Sequence, residues 1–256
     1  MKKQAKKANK IPTIEEIDEI FLRFSEEERL KTSDNLPDEV LMPLIADNAL
    51  LVFPGMSISF DVIRESQKMA TIKAYDEGKL IFLASAKGQL KSRIDITDIY
   101  NTGCIVKIRQ LADFPGSGGL KVIAEGICRG KIISLKQKSP FIMANVSKIV
   151  ETNSSTDIVE KALRKKIQIL LEKYLSFSGK LVSDYFESFD EYQSLNLFTD
   201  LISSFVGLAF NKKYELLDIP DSYLRAETLH KFLQEEINIL TYERSVLDKV
   251  KTGLEK

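Results

Sequence analysis

Hydrophobic residues occur in short blocks through residues 35–150 and at helical spacing from residue 155 onward. The segment Ser57–Val62 alternates polar and apolar residues, so Ile58, Phe60 and Val62 should face one side of a β-strand. Gly78 should end a helix that separates two of the strands. The helix predicted here is Glu65–Asp76. The predicted strands are Leu50–Phe53, Ser57–Val62, Lys79–Ala84, Gly103–Leu111, Lys121–Ile133 and Pro140–Val150. In the last of these strands, Phe141, Met143 and Val146 should face inward.

The second half of the chain shows the 3.6-residue spacing of helices. An apolar stripe follows Ile158–Leu175, and the more apolar stretch Leu195–Phe210 predicts a central helix. The last helix, Ser222–Lys251, should be roughly 40 Å long and project beyond its bundle. The pattern predicts an α+β fold, in which a β-rich domain at 35–150 (a twisted sheet or semi-closed barrel with one helix) precedes a helical bundle at 155–256.

Residues 1–34 differ from both regions because they are highly charged. Within them, apolar residues spaced three and four apart predict one amphipathic helix over Ile14–Phe24, with Thr13 as its N-cap. Five of the first ten residues are lysines, a composition typical of a solvated tail, although it could also bind polyanions. We treat 1–34 as a charged extension with one amphipathic helix, whose apolar face should cover its own domain or, as the less favoured alternative, a second subunit.

Composition and charge disfavour several classes of protein. The 37 basic residues balance the 37 acidic ones, so net charge gives no reason to expect nucleic acid or an anionic membrane as partner. No apolar run reaches the roughly 18 residues of a membrane span, and the start does not resemble a secretory signal. We therefore expect a cytoplasmic protein. Cys104 and Cys128 lie in apolar runs and should be buried thiols, although the sequence leaves a disulfide open.

Residue types suited to catalysis or metal binding are scarce. His230, the single histidine, lies among apolar residues of the last predicted helix, which favours a packing role over a catalytic one. One histidine and two distant cysteines argue against a structural zinc site, because such a site needs four ligands. The glycine-rich stretch 114–119 joins two strands and predicts a hairpin, and the chain has no GxxxxGK[ST] phosphate loop. We expect no catalytic, cofactor-binding or metal-binding residues, and no cofactor.

Several apolar motifs follow one another in a fixed order: Val52–Met56 (VFPGM), Phe60–Arg64 (FDVIR), Lys79–Lys87 (KLIFLASAK), Gly103–Leu111 (GCIVKIRQL) and Lys121–Arg129 (KVIAEGICR). In this order and spacing, over about residues 40–250, the chain resembles the amino-terminal (LON) domain of the ATP-dependent bacterial Lon protease. Segments Leu171–Leu181 and Leu233–Arg244 look like the bundle helices of that family. In one departure, Asp47-Asn48-Ala49 stands where the family usually has a Leu-Arg or Arg-Gly pair.

The resemblance implies a PUA-like β-domain and a helical bundle that capture unfolded or tagged proteins. In the family, these parts present their clients to the ATPase and peptidase modules of a hexameric Lon protease. The hydrolytic Ser–Lys pair of those modules has no counterpart here, so the resemblance implies a substrate-binding part without enzymatic activity. Without the ATPase ring, we expect the isolated chain to be a monomer or a weak dimer. The sequence does not identify the polypeptide-binding residues. Five soft apolar side chains could contribute to binding or could simply fill the core: Met56, Met69, Phe114, Phe141 and Met143.

Two other functions stay open at this point. The chain could be a stand-alone LON-domain protein that acts as an adaptor, and the reading frame beyond Lys256 would separate this from a longer protease. PUA-like folds also occur in RNA-associated proteins, and Lon proteases are associated with DNA binding. Neutral net charge and the lack of basic and aromatic residues in alternation argue against nucleic acid as the main partner.

Overall fold

The computed structural model describes residues 26–89, 94–114, 118–177 and 194–254. The predicted helix Ile14–Phe24 and residues 115–117 of the stretch 114–119 lie outside the described residues. No helix of the described part is long and apolar enough to cross a membrane. The elements are α1 (Glu26–Asp34), β1 (Glu39–Asn48), β2 (Ser57–Val62), α2 (Glu65–Asp76), β3 (Leu80–Ala86), a 3₁₀ turn (Ile96–Asp98), β4 (Thr102–Phe114), β5 (Gly119–Gln137), β6 (Met143–Lys148), α3 (Asp157–Ser176), α4 (Leu195–Phe205), α5 (Phe210–Asp218) and α6 (Ser222–Leu254).

The six strands form one sheet in the order β2-β5-β4-β3-β1-β6. Strands β1 and β3 are parallel, and the other pairs are antiparallel. Strand β6 also pairs with β5, so β5, β4, β3, β1 and β6 close into a ring, and β2 extends it alongside β5. The α+β fold predicted from the sequence, a small curved sheet with one helix followed by a bundle, is confirmed.

The first strand lies earlier in the chain than predicted. Its first half, Glu39–Pro43, pairs with β6, and its second half, Leu44–Asn48, pairs with β3. Pro43 lies where β1 changes from one partner strand to the other, so the hydrogen bond that its missing N–H cannot donate costs the sheet little. The same proline explains why the strand was missed, because a proline inside an apolar run argues against a strand when only the sequence is considered. The predicted strand Leu50–Phe53 is wrong, because these residues form the loop between β1 and β2.

Apolar side chains of the ring pack on both of its faces. Leu44, Phe82 and Val146 belong to a buried cluster on the inner face. A second cluster lies beneath α2, the helix predicted at Glu65–Asp76. In β6, the inward residues are Ala144 and Val146, whereas the predicted inward residue Met143 is half-buried, since adjacent strand residues face opposite sides.

In the described part of the helical region, residues 155–177 and 194–254, the helix predicted over Leu195–Phe210 is shorter than expected. It ends at Phe205 as α4, and a further short helix, α5, begins at Phe210. Helix α6 has 33 residues, about 50 Å at 1.5 Å per residue. The stripe of α3 is buried only from Leu163 onward, and Ile158 is 82% exposed.

The strands and the helices share one of the buried clusters. Phe53 and Met56, from the loop before β2, pack with α3, α4 and α6 residues such as Leu171, Phe198 and Leu229. The division into a β-rich domain at 35–150 and a bundle at 155–256 therefore stays a prediction about folding units, although the two regions differ clearly in secondary structure.

Candidate functional site

A cleft of about 370 Å³ lies between the β1–β2 loop and the α4–α5 connection. One wall consists of Leu51, Phe53 and Met56 with the start of β2, and the other includes Leu208 and Phe210. Leu51 and Phe210 are half-buried, so apolar surface at the rim remains accessible. A concave apolar surface with few polar groups is the usual form of a binding site.

The first wall is fixed by a close approach between the loop and β5. The Gly55 N–H donates to the Gly126 carbonyl at 2.9 Å, and the Gly126 N–H donates to the Met56 carbonyl at 2.9 Å. A Cβ at Gly126 would lie 2.2 Å from the Phe53 carbonyl oxygen, and Gly55 has a φ of +80°. Glycine is therefore required at both positions, and the loop holds its apolar side chains at fixed places on the wall.

The second wall is tied to the strands through α5. The Thr102 hydroxyl of β4 donates to Asp218, and the Thr102 N–H donates to the Tyr214 hydroxyl at 3.3 Å. The Phe210 ring lies 5.6 Å from the Tyr100 ring, measured between centroids. These contacts hold α5 along its length against the strands, and Phe210 in its first turn lines the cleft.

Lys213 is the only charged residue among the described residues that line the cleft. Its Nζ donates to the Ser204 carbonyl at 2.7 Å, in the last turn of α4. Burial lowers the pKa of Lys213 to about 8, because the ammonium loses hydration. The side chain remains mostly protonated at neutral pH, so the cleft combines apolar walls with one cation.

A buried ionic network joins β5 to the helices near these walls. The Arg129 guanidinium binds Asp200 of α4 through two bonds of 2.8 and 2.5 Å, and it also binds Glu151. Arg225 of α6 lies 3.2 Å from Asp200. Burial alone would lower the pKa of Arg129, but the Asp200 carboxylate raises it above its ordinary value, so the guanidinium stays protonated.

The structure places the five soft apolar residues in different surroundings. Only Met56 lines the cleft. Met69 is 39% exposed on α2, and Phe141 and Met143 are half-buried elsewhere in the β-rich region. Phe114 ends β4, and its side chain is outside the described part. The sequence motif VFPGM (Val52–Met56) includes residues that form one wall of the cleft. For the other wall, nothing in the sequence distinguishes Phe210 or Lys213 from other helical residues.

The residues weighed for chemistry are dispersed. Cys104 and Cys128 are free, buried thiols, as favoured from the sequence, and burial raises the pKa of Cys128 to about 11. His230 is half-buried on α6. Within the described ranges, His, Cys, Asp and Glu side chains form no group of three that could hold a metal ion.

Comparison with models of known protein families identifies the family of this chain. A family model described as the ATP-dependent protease La (LON) substrate-binding domain matches residues 40–235. The chain belongs to the LON substrate-binding domain family. The match includes both walls of the cleft, and the resemblance noted in the sequence is thereby confirmed.

Relatives of this LON domain are full-length proteases. The Lon protease of Heliobacterium modesticaldum is 32% identical over 234 residues, which cover 91% of this chain and 28% of the relative. The Lon protease of Clostridium acetobutylicum is 31% identical over 216 residues, again 28% of its length. The chain thus spans less than a third of these relatives, and what it matches is their non-catalytic substrate-binding part.

The fold of this LON domain is also found among solved structures. The N-terminal domain of the Mycobacterium avium complex Lon protease superposes with a TM-score of 0.59 and 20% identity. The superposition covers 76% of this chain and 98% of that domain. At this identity the likeness establishes the fold alone.

Proposed function

We propose that this chain is the substrate-recognition part of a cytoplasmic, ATP-dependent Lon protease, and that its cleft binds apolar segments of unfolded or tagged proteins. The ATPase and peptidase modules of the relatives would process what the chain captures. The observation that carries the proposal is the accessible apolar cleft at the junction of strands and helices, within the segment that matches the substrate-binding family.

The physical basis is that unfolded proteins expose apolar side chains that native proteins bury. A receptor for many clients needs adaptable apolar contacts and few fixed hydrogen bonds. The walls supply such contacts through Leu51, Met56 and Phe210. One cleft gives weak affinity, and several copies on a hexameric ring would strengthen binding through avidity.

The test is to measure binding of reduced, fluorescently labelled casein to the purified chain and to the variant Leu51→Asn. Loss of one partly buried leucine contact should weaken binding about five-fold. Leu224→Asn is the matched control, because Leu224 is 50% exposed on α6 outside the cleft. Equal affinities of both variants and the parent chain would refute the assignment of the cleft, and thermal unfolding should show that both variants remain folded.

A further inference from the structure

We propose that the cleft recognises the free carboxyl terminus of an apolar polypeptide segment, with Lys213 as the partner of the α-carboxylate. This inference rests on the proposed function and deepens it, because it names which part of a client the cleft accepts. Its two structural supports are the charge of the cleft and its size.

Charge complementarity is the first support. No carboxylate is among the described cleft residues, and the bond of Lys213 to the Ser204 carbonyl leaves its charge without an anionic partner among the described residues. Its bond to the Ser204 carbonyl uses one of three ammonium N–H groups. A partly desolvated ammonium gains more from a carboxylate than a hydrated surface lysine does, because surrounding water screens the interaction less.

The start of α5 adds to the positive potential. Lys213 lies in the first turn of this helix, whose N-cap is Ala209, a residue without a side chain that could cap. The partial positive charge of a helix N-terminus favours an anion nearby. Phe210, in the same turn, would contact the apolar side chain of the terminal residue.

The size of the cleft favours a chain end over an internal acidic residue. About 370 Å³ accommodates a few side chains. A terminal residue carries its apolar side chain and its carboxylate on one Cα and brings in a single strand of backbone. An internal Asp or Glu brings peptide groups on both sides, and besides Lys213 the polar side chains among the described lining residues are those of Ser57 and Ser204, too few to satisfy the hydrogen bonds of two flanking segments.

An alternative role for Lys213 is purely structural, since a lysine commonly binds carbonyls at the end of a helix. In that role, replacement would change stability but would not discriminate between ligands that differ only in their terminal group. The ratio of affinities for an acid and an amide therefore separates recognition from capping, even if the variant is less stable.

The experiment uses one short peptide that ends in Leu-Phe, labelled at its N-terminus and prepared as the free acid and as the amide. The parent chain should bind the acid about five-fold more tightly, and this preference should shrink as salt is raised. Lys213→Met should bring the ratio close to one, and Lys213→Arg should restore most of it. Lys165→Met, an exposed lysine on α3, removes the same charge outside the cleft and should retain the preference.

Each outcome bears on a specific claim. Equal binding of acid and amide by the parent chain overturns the proposal while leaving apolar client binding intact. An amidated peptide with an internal Glu that binds as tightly as the acid overturns the choice of a chain end. Failure of every peptide and of casein to bind would instead refute the proposed function.

Discussion

At the scale of single residues, Arg129 and Asp200 form a buried ion pair across the junction of strands and helices. The substitution Asp200→Asn would remove the carboxylate that lies between the buried guanidinium groups of Arg129 and Arg225. Glu151 would then be the remaining carboxylate of the network. Breaking a buried ion pair on one side typically costs about 3–5 kcal/mol, and we expect a loss of that size in the free energy of unfolding, measured with urea.

Asp61→Asn is the matched control for that substitution. Asp61 and Lys121 form an ion pair at 3.0 Å in which both side chains are 44% exposed. Exposed pairs contribute less than about 1 kcal/mol, so this variant should unfold nearly as the parent does. Similar losses for both variants would contradict the importance assigned to the buried network.

Glu28 should make folding stability depend on pH. Hydrogen bonds from Arg109 and Lys107 lower the pKa of Glu28 from 4.5 to about 2. Because the folded-state pKa is depressed, the stabilisation is complete above the unfolded value near 4.5 and disappears as pH falls toward 2. The parent chain should therefore exceed Glu28→Gln in stability at neutral pH, and the two should converge in acid.

A pair within α1 provides the control for this pH dependence. Glu27 bonds only to Lys31 of its own helix among the described residues, and its side chain is 77% exposed. Glu27→Gln should leave the pH profile nearly unchanged. A constant difference between parent and Glu28→Gln from neutral pH to pH 2 would contradict the account.

Sequence reasoning found residue types better than residue roles. It placed Met56 among the soft apolar candidates and favoured free, buried states for Cys104 and Cys128, as the structure shows. It treated the highly charged residues 1–34 as an extension, whereas Glu28 pairs with two basic residues of β4. Lys213 was not identified, because its surroundings come from α4 and the β1–β2 loop rather than from its neighbours in the chain.

At the scale of elements, the β1–β2 loop is the feature that forms the cleft wall. Gly126→Ala would place a methyl group 2.2 Å from the Phe53 carbonyl oxygen, so loop or strand must move. Overpacking of this kind costs about 1–3 kcal/mol or more, and the shifted loop should also weaken casein binding. Gly88→Ala is the control, since an added Cβ there has no described neighbour within 4 Å. Equal stability and binding of the two variants would contradict this role of the loop.

Elements with a strong local pattern were predicted well. Ser57–Val62 has the alternation of a half-buried strand, and Glu65–Asp76 has a helix followed by Gly78; both match the structure. The errors concern tertiary context. The run Leu50–Phe53 is apolar because two of its residues enter the helical core, and α4 ends at Phe205 because the chain turns to begin α5.

At the scale of the whole molecule, we expect this chain to capture clients and modules outside the matched segment to perform the chemistry. The sequence contains no GxxxxGK[ST] motif. The purified chain should therefore retain reduced casein without cleaving it and should not hydrolyse ATP. ATP turnover above a blank, unaffected by further purification, would contradict this division of labour.

Photo-cross-linking tests most directly whether the cleft is the place of capture. A photoreactive amino acid would replace Ile58, which lines the cleft, or Ile133, which is 50% exposed on β5 outside it. With reduced casein present, we expect cross-links from position 58, competed away by a short apolar peptide, and few from position 133. Equal cross-linking from the two positions, or stronger cross-linking from position 133, would show that unfolded protein binds elsewhere.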